Sequence, residues 1–190
     1  MLELKGITKG FGELKVLDGL NAVLPDVGLV ALRGDSGSGK TTLLRILAGL
    51  EKPDGGEITG LDSRRVFFVF QEDRLLPHAS ALDNAAIACG RATGREWLRR
   101  FGLGGAMHKK PAALSGGMRR RVALARAFAA MEHAAVPRPI LLLDEPFNGL
   151  DNDNIAMLKK EITNAAGDAL VILVSHGADI FGDYAAEIVL

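Results

Sequence analysis

A single cysteine, Cys89, in 190 residues leaves no partner for an internal disulfide and fits a reducing compartment. An excess of either charge is missing too. Lys and Arg number 23 and Asp and Glu number 23, so the overall balance favours neither nucleic acid nor an anionic lipid surface. No run approaches the roughly 18 consecutive apolar residues that a membrane-spanning helix needs. Residues 1–9 alternate apolar and polar positions and lack the apolar core of a leader peptide. Internal repeats and low-complexity segments are absent as well. These absences predict one soluble cytoplasmic domain, or one domain with a small inserted lobe, whose membrane role, if any, comes through a partner. What is present is an apolar fraction of 48%, enough to build a buried core.

The order of patterns points to an α/β fold. Leu2–Ile7 alternates like a half-buried strand, and Lys15–Leu17 and Leu20–Leu24 continue the pattern, with Gly12, Gly19 and Pro25-Asp26 as turns. Residues 1 to about 28 therefore read as a small antiparallel sheet. Gly28–Leu32, Val66–Phe70, Ile140–Leu143 and Ala169–Val174 are unbroken apolar runs, the signature of strands covered on both faces. Between them lie helical patterns at Thr42–Leu50, Gly116–Met131 and Asn154–Ala165, with Pro53–Gly56 read as a turn. From Glu72 to Ala113 strand signals vanish in favour of Ala, Leu and Arg. The expected architecture is a mainly parallel core with an inserted helical lobe, the core at about 1–71 and 132–190 and the lobe at about 72–131.

Gly34-Asp35-Ser36-Gly37-Ser38-Gly39-Lys40-Thr41 matches G-x-x-x-x-G-K-[ST] and falls between a predicted strand and a predicted helix. Glycines let the backbone curl so that several N–H groups converge on phosphate oxygens. The helix start at Lys40, Thr41 and Thr42 adds its positive end. Lys40 is expected to reach the β- and γ-phosphates of ATP, and the Thr41 hydroxyl to ligate Mg²⁺. Ile140–Asp144 is an apolar strand ending in an acid, which sets Asp144 at the edge where α/β sheets bind ligands. Asp144 suits the Mg²⁺ shell, and Glu145, next in the chain, suits polarising the attacking water. Alone, Asp-Glu-Pro would read as an ordinary turn; beside a phosphate loop it does not.

Ser115-Gly116-Gly117 opens a long helix and forms a second anion-binding helix start. One ATP does not need two such sites from one chain, so the simplest expectation is that the second caps a nucleotide held by another copy. His176 and Gln71 each follow a buried strand at the edge of Asp144, His176 as a candidate γ-phosphate sensor and Gln71 as a contact to Mg²⁺ or the lytic water. On its own, His176 would more often be an ordinary core or surface residue and Gln71 a loop glutamine bonded to backbone.

Together these pieces resemble the ATP-binding cassette family, the motor subunits of ABC transporters, over nearly the whole chain. Gly34–Thr41 looks like the Walker A loop and Gln71 like the Q-loop glutamine. Leu114–Met118 is similar to the signature motif, Ile140–Glu145 to the Walker B strand with its catalytic glutamate, Asn148–Asp151 to the D-loop, and His176 to the switch histidine. Phe11 matches the aromatic that stacks on adenine, although spacing alone would fit a core or turn phenylalanine as well. Met118 stands where the family most often has Gln, a variant resembling cassettes of nitrate-, sulfonate- and taurine-type importers, as does Gln71–Pro77. Asn148-Gly149 replaces the commoner small residues of the D-loop. The chain is short for the family, with an abbreviated stretch between Gly60 and Val66 and little after His176, which leaves no room for a C-terminal regulatory domain.

The resemblance implies an ATPase. Two copies pair head to tail around two ATP molecules, with Lys40 and its loop from one and Ser115–Gly117 and the Asp151 loop from the other. It also implies an integral membrane permease as partner, meeting residues 71–84, a solute-binding protein if the system imports, and a peripheral position on the inner face of the cell membrane. A soluble cassette acting on DNA or ribosomes is the competing reading, but the long coiled-coil inserts, zinc-binding cysteines or second cassette of such proteins are missing. The run Arg119–Arg121 with Arg126 reads as a solvated helix face rather than a nucleic-acid site, and no nucleic-acid partner is expected.

Overall fold

The computed structural model describes residues 1–61, 64–175 and 181–190. Two sheets organise it. The smaller is antiparallel, in the order β2-β1-β4, from β1 (Leu2–Phe11), β2 (Leu14–Leu24) and β4 (Gly55–Thr59). The larger has five strands in the order β5-β6-β7-β3-β8, all parallel where they pair, from β3 (Gly28–Arg33), β5 (Val66–Val69), β6 (Ile140–Asp144), β7 (Leu170–Val174) and β8 (Ala186–Val189).

The unbroken apolar runs have a direct cause. In β6, Ile140 and Leu142 join a core shared with α1 (Lys40–Leu47) and the small sheet, whereas Leu141 and Leu143 face a second core built with the helices of the other side. In β7, Leu170, Ile172 and Val174 divide from Val171 and Leu173 in the same way. A strand buried on both faces has no position where a polar side chain meets water, and each apolar side chain buried in it contributes about 1.5–3 kcal/mol. The second core takes in α2 (Ala81–Ala86), α3 (Gly90–Arg100), α4 (Gly116–Ala134) and α5 (Asn152–Ala166), with the rings of Trp97, Phe101 and Phe128 in contact where α3 meets α4.

Three expectations change. Gly19 is not a turn: Leu14–Leu24 is one strand, and Gly6 (φ 59°) and Gly19 (φ 69°) sit where the β1–β2 register shifts. Asn21 bridges these bulges, accepting from Gly6 N at 2.8 Å and donating to the Gly19 carbonyl at 2.8 Å. The glycines of the Pro53–Gly56 segment belong instead to the start of β4. A Cβ on Gly56 would lie 2.5 Å from the carbonyl oxygens of Lys5 and Gly6, so the absence of a side chain allows this strand to pair. Finally, β8 adds an edge strand beyond β3 that was not anticipated.

Candidate nucleotide site

The phosphate loop runs from the end of β3 to the start of α1 at the C-terminal edge of the parallel sheet. Gly34, Gly37 and Gly39 have φ of 146°, 83° and 100°, a backbone that side chains rarely adopt. Space is closed as well: a Cβ on Gly39 would lie 2.8 Å from Val16 Cγ1, and one on Gly34 2.5 Å from Ser38 Oγ. The Lys40 ammonium turns back into the loop, donating to the carbonyl oxygens of Gly34 and Asp35 at 2.8 and 2.6 Å, and the residue is 7% exposed. Ser38 Oγ is buried with no hydrogen-bond partner among the described residues. A buried hydroxyl in a glycine cradle with a lysine is a donor set that fits phosphate oxygens.

Thr41 is held by α1 and Asp144 by β6, and the Thr41 hydroxyl donates to Asp144 Oδ2 at 2.8 Å. Burial pushes the Asp144 carboxyl above its ordinary range; the Thr41 bond opposes that, Glu145 adds to it, and Arg120 and Arg45 draw it down. A carboxylate and a hydroxyl in contact, all oxygen and one of them anionic, suit Mg²⁺. Glu145 follows in the left-handed region, at φ 48°. Its Oε2 accepts from Gln71 Nε2 at 3.3 Å, across from the end of β5, and from Asn148 Nδ2.

A cleft of about 340 Å³ gathers these residues. Ser36, Gly37, Gly39, Lys40, Thr41 and Thr42 form one wall, Gln71, Asp144 and Glu145 the other, and Phe11 the rim. The Phe11 ring is half exposed, with the Lys9 ammonium 5.2 Å from its centroid. Ser115, Gly116, Gly117 and Asp151 do not line the cleft. Ser115 caps α4, its hydroxyl accepting from Met118 N at 3.2 Å, and the exposed Ser115 and Gly116 lie on the surface of the chain. Asp151 caps α5, accepting from Asn154 N at 2.9 Å. His176 lies outside the described residues.

The arginine run corrects the expectation of a solvated face. Arg120 is 3% exposed. It donates to the carbonyl oxygens of Phe70 and Gln71 at the end of β5 and of Asp144, Glu145 and Pro146 after β6. Its counter-charge is Asp73, at 3.7 Å. Arg126 adds donations to the carbonyls of Asp73 and Arg74. A sequence in which Arg119, Arg120 and Arg121 look alike gave no sign of which one turns inward.

A profile described as ABC transporter matches residues 17–148. The chain belongs to the ABC transporter family. Among curated relatives, the aliphatic sulfonates import ATP-binding protein SsuB 3 of Rhodococcus jostii is 40% identical over 94% of this chain and 66% of its own length. The sulfate/thiosulfate import ATP-binding protein CysA of Bradyrhizobium diazoefficiens is also 40% identical, over 85% of this chain and 50% of its own. The chain thus spans about two thirds of the first relative and half of the second. Among solved structures, the dimeric bacterial ABC transporter cassette MJ0796 superposes with a TM-score of 0.82 at 30% identity, covering 100% of this chain and 94% of that one. A dimeric post-hydrolysis state of the same cassette, bound to ADP and Pi, gives 0.78 at 30% identity over 95% and 90% of the two chains.

Proposed function

We propose that this ABC family chain is the ATP-binding and ATP-hydrolysing subunit of an importer, a single cassette of residues 1–190 with its helical lobe at about 72–131. The observation that carries the proposal is the convergence of Lys40, the hydrogen-bonded Thr41–Asp144 pair and Glu145 on one cleft at the sheet edge. In this reading the loop 34–41 and Thr42 hold the phosphates of ATP, and Phe11 offers its exposed face to the base. Thr41, Asp144 and Gln71 hold Mg²⁺, which when bound supplies positive charge against the growing charge of the transferred phosphoryl group. Glu145 orients the attacking water and takes its proton, and Lys40 stays with the phosphates through the reaction. His176 is assigned to sensing the γ-phosphate.

Relatives named as import ATP-binding proteins and the dimeric cassette support two further parts of the reading. The first is a second copy whose Ser115–Gly117 and Asp151 loop complete each site. The second is an integral membrane permease with a solute-binding protein, met by the region around the exposed Leu76. No helix among the described residues is long and apolar enough to cross a membrane, so the proposed place at the inner face of the cell membrane depends on that permease.

Glu145→Gln tests the reading. ATP affinity by calorimetry should be retained, while turnover falls by about 100-fold or more, the range expected for loss of a general base. The ATP-bound chain should then elute as a dimer. An unchanged ATPase rate would overturn the assignment.

A further inference from the structure

The turn after β6 holds an amide against the carboxylate on which this mechanism depends. Asn148 N donates to the Glu145 carbonyl oxygen at 3.3 Å and Leu150 N to that of Phe147 at 3.2 Å. The turn is pinned from two sides. Arg120 grips the carbonyls of Glu145 and Pro146 at 2.9 and 3.3 Å. At the other end Gly117 of α4 packs against it, so closely that a Cβ there would lie 2.7 Å from the Gly149 carbonyl oxygen. With its backbone fixed at both ends, the turn presents the Asn148 side chain in a defined place, and Nδ2 donates to Glu145 Oε2. Gln71 Nε2 reaches the same oxygen from β5.

We propose that Asn148 is a positioning residue that holds the Glu145 carboxylate in one orientation at the edge of the cleft before nucleotide and water arrive. The proposal rests on the reading of Glu145 as the group that activates water. Glutamate is long and has many rotamers; fixing one oxygen removes that freedom before the chemical step, where misplacement by an ångström is costly. An amide is suited to the task because it donates to a carboxylate without adding a charge beside the nucleotide. The hydrogen bonds of Arg119 and Arg120 in this part of the site go to main-chain carbonyls, and both arginines pair with Asp73. Asn148 acts on the carboxylate itself.

Asn148→Asp keeps the shape of the side chain and its fitness for a turn but replaces the donor by a second carboxylate. Turnover should fall about tenfold, with the KM and the calorimetric Kd for ATP within about twofold of the parent, because phosphate loop and metal pair are untouched. Asn148→Ala should show the same split. The contact has a separate readout in thermal unfolding. Asn148→Asp should lower Tm by about 2 °C in the parent and not in the Glu145→Gln background, where the introduced amide can donate to the new carboxylate. Equal Tm changes in both backgrounds would mean the hydrogen bond does not form, and the proposal falls. Coupled Tm values with unchanged kcat would reduce Asn148 to a structural role and overturn it equally. Full turnover in Glu145→Gln alone would remove the reading of Glu145, and this proposal with it, while leaving the Tm cycle as evidence of the contact.

Discussion

Asp144, which the proposed mechanism assigns to Mg²⁺, carries a cost in stability. It is 2% exposed, and burial lifts its carboxyl above the ordinary range despite the Thr41 hydroxyl. A carboxylate whose folded pKa exceeds its unfolded value binds its proton more tightly in the folded chain. The contribution of Asp144 to stability is therefore greatest below the unfolded pKa and falls as pH rises through the folded one, and the penalty persists at neutral pH. Asp144→Asn removes that penalty while its amide oxygen can still accept from Thr41. Without nucleotide and in a chelator, Tm should rise by about 2–4 °C, and Mg²⁺-dependent ATPase activity should be lost. A scanning-fluorimetry shift downwards would contradict the account. At this scale the cleft was largely legible: residue type and spacing single out Lys40, Thr41, Asp144 and Glu145, and the structure brings all four to it. Arg120 was not, since inward and outward arginines on one helix differ only by a rotation of about 100° per residue.

At the scale of elements, the helix α4 and the ends of β5 and β6 are joined through that one guanidinium. Burial draws the Arg120 pKa down, with Asp73 first among the charges opposing it, and Asp73 and five carbonyls compensate the desolvation of the cation. Arg120→Met preserves much of the volume but leaves Asp73 without its buried partner and removes one donor from each of the five carbonyls. A loss of about 3–5 kcal/mol is expected from urea unfolding, with the slope unchanged. A loss under about 1 kcal/mol would show that water replaces the guanidinium without cost. The same scale explains which elements the sequence disclosed. β3, β6 and β7 are covered on both faces, and the edge strand β5 still packs Phe67 on one core and Val66 and Phe68 on the other, so all four form unbroken apolar runs. β4 and β8 are short edge strands in which only Ile188 is fully buried, and their mixed residues carry no such signal. The bulge at Gly19 looks like a turn in a sequence because both need a residue at positive φ.

At the scale of the whole molecule, the start of α4 stands apart from the cleft that its own chain forms. Ser115 and Gly116 are exposed, and the hydroxyl, the glycine amides and the end of a 19-residue helix offer an anion site that the proposed dimer would fill with the partner's ATP. In a twofold pair each copy gives its loop to one site and its α4 start to the other. Gly116→Asp should disable the second contribution by placing a negative charge against phosphate, while the fold tolerates it: a Cβ there meets only the Arg119 side chain, at 3.9 Å, and an acid at a helix start is favourable. Lys40→Ala disables the first. Each variant alone should have almost no ATPase activity. Mixed in equal amounts, half the dimers are hybrids with one intact site of their two, so activity should return to about one quarter of the parent's. Sites completed within a single chain would give no recovery on mixing, and that result would break the link between the two helix starts.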